Sequence, residues 1–193
     1  MTRSVIFEKF VQYMHQIGAA DVEHSGVGYL GHAVGVYRDL KTWDCSEDVC
    51  NAGLFHSIYG TELFQGFTLP LEKRDEVKLL IGKYAEWLAY LNCAIVYSSF
   101  DSIVARDSPP YVMEDRFTGD LIEIKPDDFS DLCTIHLCDR LEQFPRSPDL
   151  GFRPKVFQYL AKRLGGVARR EYMRVIERQD DNVTIPKGTT DTS

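Results

Sequence analysis

Along most of this chain the apolar residues recur at steps of three and four, a spacing that points to helices, each carrying one apolar stripe, packed stripe against stripe. Val5, Phe7, Phe10, Val11, Met14 and Ile17 form the first such series, and Gly18 supplies its stop. Leu30, Val34, Val36, Tyr37, Leu40 and Trp43 form the second, predicting an amphipathic helix from Tyr29 to Trp43. Ser46 followed by Glu47 and Asp48 reads as a cap with acids in the first turn, opening a helix through Ala52, Leu54 and Phe55. After Pro70, the stretch from Glu72 to Val96 reads as one long helix or two, with Val77, Leu79, Leu80, Tyr84, Trp87, Leu88 and Leu91 at core spacing.

The pattern changes at Pro109-Pro110. Val112, Phe117, Leu121 and Ile124 flank the turn-forming Thr118-Gly119-Asp120, which predicts a small β-hairpin between Tyr111 and Ile124. Helix resumes at Pro126, where Asp127 and Asp128 favour an N-terminus, and continues through Leu132, Ile135, Leu137 and Leu141 to Phe144. Two further helices, Pro154 to Leu164 and Val167 to Glu177, are separated by Gly165-Gly166. The expectation is one all-α domain over residues 1–178 with a single hairpin insertion. A polar segment, 179–193, nearly devoid of apolar residues, is expected to be disordered.

Composition narrows the function. Lys plus Arg number 22 against 29 Asp plus Glu, a net charge of −7, and the isoelectric point is near 5.2. Affinity for a phosphate backbone comes mostly from clustered Lys and Arg, so a nucleic-acid partner is not expected. The most apolar run, Leu88 to Val96, is too short to cross a bilayer and is interrupted by Asn92, so no membrane partner is expected either. Charges within the first ten residues argue against a secretory leader and for the start of a helix. Cys45, Cys50, Cys93, Cys133 and Cys138 are odd in number and contain no C-x-x-C pair. They suit a reducing, cytoplasmic setting in which they pack as small hydrophobes.

Five histidines occur: His15, His24, His32, His56 and His136. His15 reads as a surface residue. His32 lies in the helical segment Gly31-His32-Ala33-Val34-Gly35-Val36, and His56 ends the apolar run Ala52-Gly53-Leu54-Phe55. Asp139 lies in His136-Leu137-Cys138-Asp139-Arg140-Leu141. Imidazoles and a carboxylate beside apolar stripes need partners to offset desolvation, and one divalent cation would serve all three. Separate caps, arginines or carbonyls would serve equally well on spacing alone.

These three segments, in this order, resemble the HD superfamily of metal-dependent phosphohydrolases, with the nearest local similarity to alarmone hydrolases. The first is similar to their first-histidine helix. Ala52-Gly53-Leu54-Phe55-His56-Ser57-Ile58-Tyr59-Gly60-Thr61 is similar to their Ala-Ala-Leu-Leu-His-Asp-Val-Val-Glu-Asp-Thr, and His136 to Leu141 to their Lys-Leu-Ala-Asp-Arg-Leu. The similarity spans Tyr29 to Phe144. It departs from the family where Ser57 replaces the metal-binding Asp and Gly60-Thr61 replaces an acidic pair, a pattern that resembles a His-Ser variant group within the superfamily.

The resemblance implies an HD-like helical bundle in which His32, His56 and Asp139 hold a divalent ion, Zn, Mn or Fe, with an open position for water. It implies a hydrolase acting on a small phosphorylated molecule such as a nucleotide. In that picture Glu62 or His136 accepts a proton from water, and Ser57 hydrogen-bonds the water or the substrate. His24, in the loop entering the first-ligand helix, Arg140 and Tyr59 are candidate substrate contacts. Arg140 could instead pair with Glu123 or Glu142, and Tyr37, Trp43 and Tyr59 could simply be core. The alternatives are an iron-dependent oxygenase of the same fold and a non-catalytic module whose site has decayed.

Overall fold

The computed structural model describes residues 3–23, 27–146 and 152–183. The helices are α1 (Arg3–Gln16), α2 (Tyr29–Thr42), α3 (Glu47–Leu54), α4 (Arg74–Ile81), α5 (Lys83–Ala94), α6 (Tyr97–Val104), α7 (Pro126–Gln143), α8 (Pro154–Leu164) and α9 (Gly166–Val183). One antiparallel hairpin, β1 (Tyr111–Glu114) and β2 (Leu121–Ile124), interrupts them, with Tyr111 opposite Ile124 and Glu114 opposite Leu121. The chain is therefore mostly helical with one small two-stranded sheet. Among the described residues no helix is long and apolar enough to cross a membrane.

Local chemistry accounts for the boundaries. The Ser46 hydroxyl accepts from the Val49 amide at 3.3 Å, closing the first turn of α3. Gly82, at φ 97°, divides the Glu72–Val96 stretch into α4 and α5, because only glycine adopts that backbone without strain. Pro126 opens α7 where its missing amide costs nothing.

Helix α7 is central. It packs against α2, α3, α5, α8 and α9. Phe129, Leu132, Cys133, Ile135, His136, Leu137, Cys138 and Leu141 are all buried, covering more of its circumference than a single stripe. That wrapping carries the polar residues of α7 into the interior. Helices α2 and α3 pack on each other and on α7, bringing His32 and His56 to the same place.

Several expectations need correction. Leu79 was expected at core spacing but is 89% exposed. The chain from Tyr97 to Val104 forms α6, a helix absent from the sequence reading. Helix α9 continues to Val183, beyond Gln179 where a polar tail was expected to begin, and 184–193 lie outside the described residues. The cysteines need no correction: all five are free, and Cys50, Cys93, Cys133 and Cys138 are buried as small hydrophobes.

Candidate metal centre

His32, His56 and Asp139 converge. His32 Nε2 is 3.1 Å from His56 Nε2 and 3.0 Å from Asp139 Oδ1, and His56 Nε2 is 3.4 Å from the same oxygen. Both imidazoles are buried, while Asp139 is 18% exposed and opens onto a pocket.

The outer ring nitrogens determine which atoms face inward. His56 Nδ1 lies 2.7 Å from the carbonyl oxygen of Gly53, which can only accept, so this nitrogen carries the hydrogen. His32 Nδ1 faces the Glu142 carboxylate in a short contact and is likewise the donor. In the neutral tautomers both Nε2 atoms are then acceptors that face each other and a carboxylate oxygen. The Gln143 amide answers part of this crowding, at 3.3 Å from His32 Nε2 and 2.6 Å from Asp139 Oδ1, and a cation between the three acceptors would answer the rest.

A proton or a metal ion can fill that role. Burial works against a charge on His32, but hydrogen bonds to Asp139 and Glu142 outweigh it and raise its pKa to about 9. Burial would raise the Asp139 pKa, yet His56 and His32 hold it well below the ordinary carboxylate range. Ligands about 2.1 Å from a tetrahedral or octahedral ion stand roughly 3.0 to 3.4 Å apart, which the observed separations match. The cluster can therefore hold a metal ion.

The surroundings brace it. The Gln143 amide donates to Asp139 Oδ1 at 2.6 Å, and Arg146 donates to Glu142 at 2.5 Å. Gly35 is what lets Glu142 reach His32: a Cβ there would lie 2.4 Å from Glu142 Oε1. Asn92 Nδ2 donates to the His56 carbonyl at 2.8 Å, fixing the turn that carries the second ligand.

The adjoining pocket, about 210 Å³, is lined by Thr61, Phe64, Tyr97, His136, Asp139, Arg140, Gln143, Arg153 and Phe157, among others. His136 and Arg140 thus lie where the sequence placed them, beside Asp139. Both ring nitrogens of His136 already have neighbours. Its Nδ1 faces Asn92 Oδ1 at 3.3 Å and its Nε2 lies 3.0 Å from Arg153 Nη1, a permanent donor. Burial and the Arg153 charge push its pKa down to about 3.

Glu62, Tyr59 and Ser57 do not line this pocket. Glu62 is exposed and accepts from the Tyr97 amide at 2.6 Å, capping α6 at the rim. Tyr59 is only 2% exposed and its hydroxyl donates to Glu86 at 3.0 Å, a core role rather than a substrate contact. Ser57 is buried near the Tyr29 hydroxyl and is not among the described residues that line the pocket. His24 lies outside the described residues. Glu142 pairs with His32 and Arg146, while Arg140 packs over Phe144, its guanidinium 5.0 Å from the ring centre.

Sequence reasoning missed Asn92, Arg153 and the bracing role of Glu142 and Gln143. The last two were accessible, since residues three and four after Asp139 share its helical face.

The fold and site together define a mostly helical protein with a buried two-histidine, one-carboxylate cluster able to hold a metal ion. Residues 13–96 match a family described as a domain of unknown function, DUF6817, a stretch that includes His32 and His56 and ends before Asp139. No curated protein and no solved structure matches the chain.

Proposed function

We propose that this protein is a metal-dependent hydrolase of the HD type that acts on a small phosphorylated molecule such as a nucleotide. The observation that carries the reading is the meeting of three acceptor atoms, His32 Nε2, His56 Nε2 and Asp139 Oδ1, beside a pocket that Asp139 lines. His32, His56 and Asp139 hold the ion. An ion in such a site acts as a Lewis acid and lowers the pKa of water.

The chain's own groups orient and exclude. Glu142 and the Gly53 carbonyl fix the two imidazole tautomers, and Gln143 restrains the carboxylate. Arg140 and Arg153 place positive charge on the wall beside Asp139, where an anionic substrate would lie. His136 is spent on Arg153, and Glu62 on the α6 amide, so neither takes the proton from water. Asp139 remains as the pocket acid, and its depressed pKa makes it a weak base.

The donor set of two histidines and one carboxylate is also an iron(II) arrangement, which supports an oxygenase as the second reading. The test is to assay purified protein for zinc, manganese and iron, then measure phosphate release from a panel of nucleotides, with His56→Ala as control. Stoichiometric metal and metal-dependent phosphate release, both lost in the variant, are expected. Absence of stoichiometric metal under every reconstitution overturns both enzyme readings. Metal without turnover leaves a binding module, and an oxygen-dependent colour change with iron points to the oxygenase.

A further inference from the structure

Arg153 stands out for its backbone. It and Asp44 are the non-glycine residues with positive φ among those described, and Arg153, at φ 49° and ψ 42°, caps α8 in a left-handed conformation that L-residues adopt at a cost. The conformation places its guanidinium on the wall of the pocket next to the triad.

The guanidinium is then gripped from several sides. Nε donates to Asp101 Oδ2 at 3.0 Å, Nη2 makes a short contact to Asp101 Oδ1, and Nη1 donates to His136 Nε2 at 3.0 Å. The Tyr97 ring stacks on it at 4.0 Å. The acceptor at His136 is itself determined by a chain of polarity that begins at the triad. Asn92 Nδ2 donates to the His56 carbonyl, so Asn92 Oδ1 accepts from His136 Nδ1, and His136 Nε2 is left as a lone pair for Arg153. The side chain is 11% exposed.

A salt bridge to Asp101 alone would need neither a strained backbone nor a buried neutral histidine. Among the described residues three of the five guanidinium N–H groups are used, with one on Nη1 and one on Nη2 remaining. Arg140 lies on the same wall, and both guanidinium groups pack on Phe152 and Phe157, at 5.5 to 5.8 Å from the ring centres.

We infer that Arg153, together with Arg140, forms an oxyanion subsite that takes a phosphoryl group of the substrate beside the metal-binding triad. The remaining N–H groups on Nη1 and Nη2 can donate to phosphoryl oxygens, and a guanidinium already held by Asp101 and His136 loses little entropy on binding. The part played by that phosphoryl group in turnover rests on the hydrolase reading. Its binding does not, because Arg153 acts without the ion.

The test is calorimetric titration of the metal-stripped full chain with inorganic phosphate at constant ionic strength, for wild type, Arg153→Gln, Arg153→Lys and Asp139→Asn. Wild type is expected to bind saturably, Arg153→Gln at least about tenfold more weakly, and Arg153→Lys in between. Asp139→Asn should retain phosphate binding while losing the metal, which separates this inference from the hydrolase reading. If Arg153→Gln does not fold, as judged by circular dichroism, phosphate-induced shifts of the Arg153 guanidinium resonances in labelled wild type decide the matter. No saturable binding by wild type up to about 10 mM phosphate, undiminished binding by a folded Arg153→Gln, or unmoved Arg153 resonances overturns the inference, whatever the metal assays show.

Discussion

Two buried charged clusters in this molecule have opposite character. Near the hairpin, Glu86 is wholly buried in α5, and everything around it answers it: Arg74 Nε and Nη2 donate to its two oxygens at 2.6 and 3.1 Å, and the Tyr59 hydroxyl donates at 3.0 Å. The Arg74 guanidinium also lies 3.5 Å from the centre of the Tyr90 ring, whose hydroxyl reaches the buried Asp115. Acid meets base and donor meets acceptor, the condition for burying charge without loss. At the triad three acceptor atoms crowd together with the Gln143 amide as donor beside two of them, and the set can take a cation in its midst. A cluster satisfied by its own side chains holds the fold; one that can take a visitor points to function.

The largest expected effect breaks the triad. Removing one of three ligands by His56→Ala should weaken metal binding by about 1,000-fold or more, measured by competition with a chelator, while the metal-free variant stays folded. Next comes the self-satisfied cluster. Glu86→Ala strands the Arg74 guanidinium and the Tyr59 hydroxyl, and should cost about 3 kcal/mol in denaturant unfolding without changing the metal affinity of the folded fraction. If both variants altered stability and metal binding together, the distinction between the clusters would fail.

Much of the difference could be read in the sequence, and the part that could not has physical causes. Ser46, Gly18 and Pro126 act on their immediate neighbours, so the starts of α3 and α7 and the end of α1 were legible. Helix α6 was not, because its first amide is capped by Glu62 from a distant turn and its Ser98-Ser99 pair has no strong helical preference. The exposure of Leu79 was hidden because spacing defines a stripe without saying how wide the neighbouring helix is. His32, His56 and Asp139 were legible through ordered motifs. Arg153 was not, since nothing local marks an arginine for left-handed backbone and its anchor, Asp101, is fixed only by tertiary packing. The surroundings of His136 have the same origin: the residue was legible, but the arginine beside its Nε2 was not.

Two smaller effects sharpen the comparison through pH and bracing. His32 has its pKa raised from 6.5 to about 9, so its proton stabilises the metal-free fold fully below pH 6.5, and that contribution is lost as pH rises through 9. Thermal unfolding of metal-stripped protein should show a decline in stability over that window, which the His32→Gln variant should lack. Metal must displace the same proton, so its apparent affinity should rise about tenfold per pH unit from 7 towards 9. Smaller still, Glu142→Gln keeps the shape but weakens the hold on His32 Nδ1, and should reduce metal affinity by about 10- to 30-fold. Gly35→Ala, which drives a methyl group into Glu142, should reproduce that loss.

The central claim is that the triad holds one cation, a proton on His32 when no metal is present and a metal ion otherwise. Calorimetric titration of zinc or manganese into the metal-free protein at pH 7, repeated in buffers of different ionisation enthalpy, counts both ions and protons. The account predicts one ion bound per chain with release of about one proton, and neither in His56→Ala. Binding without proton release, or no stoichiometric binding at all, would contradict it.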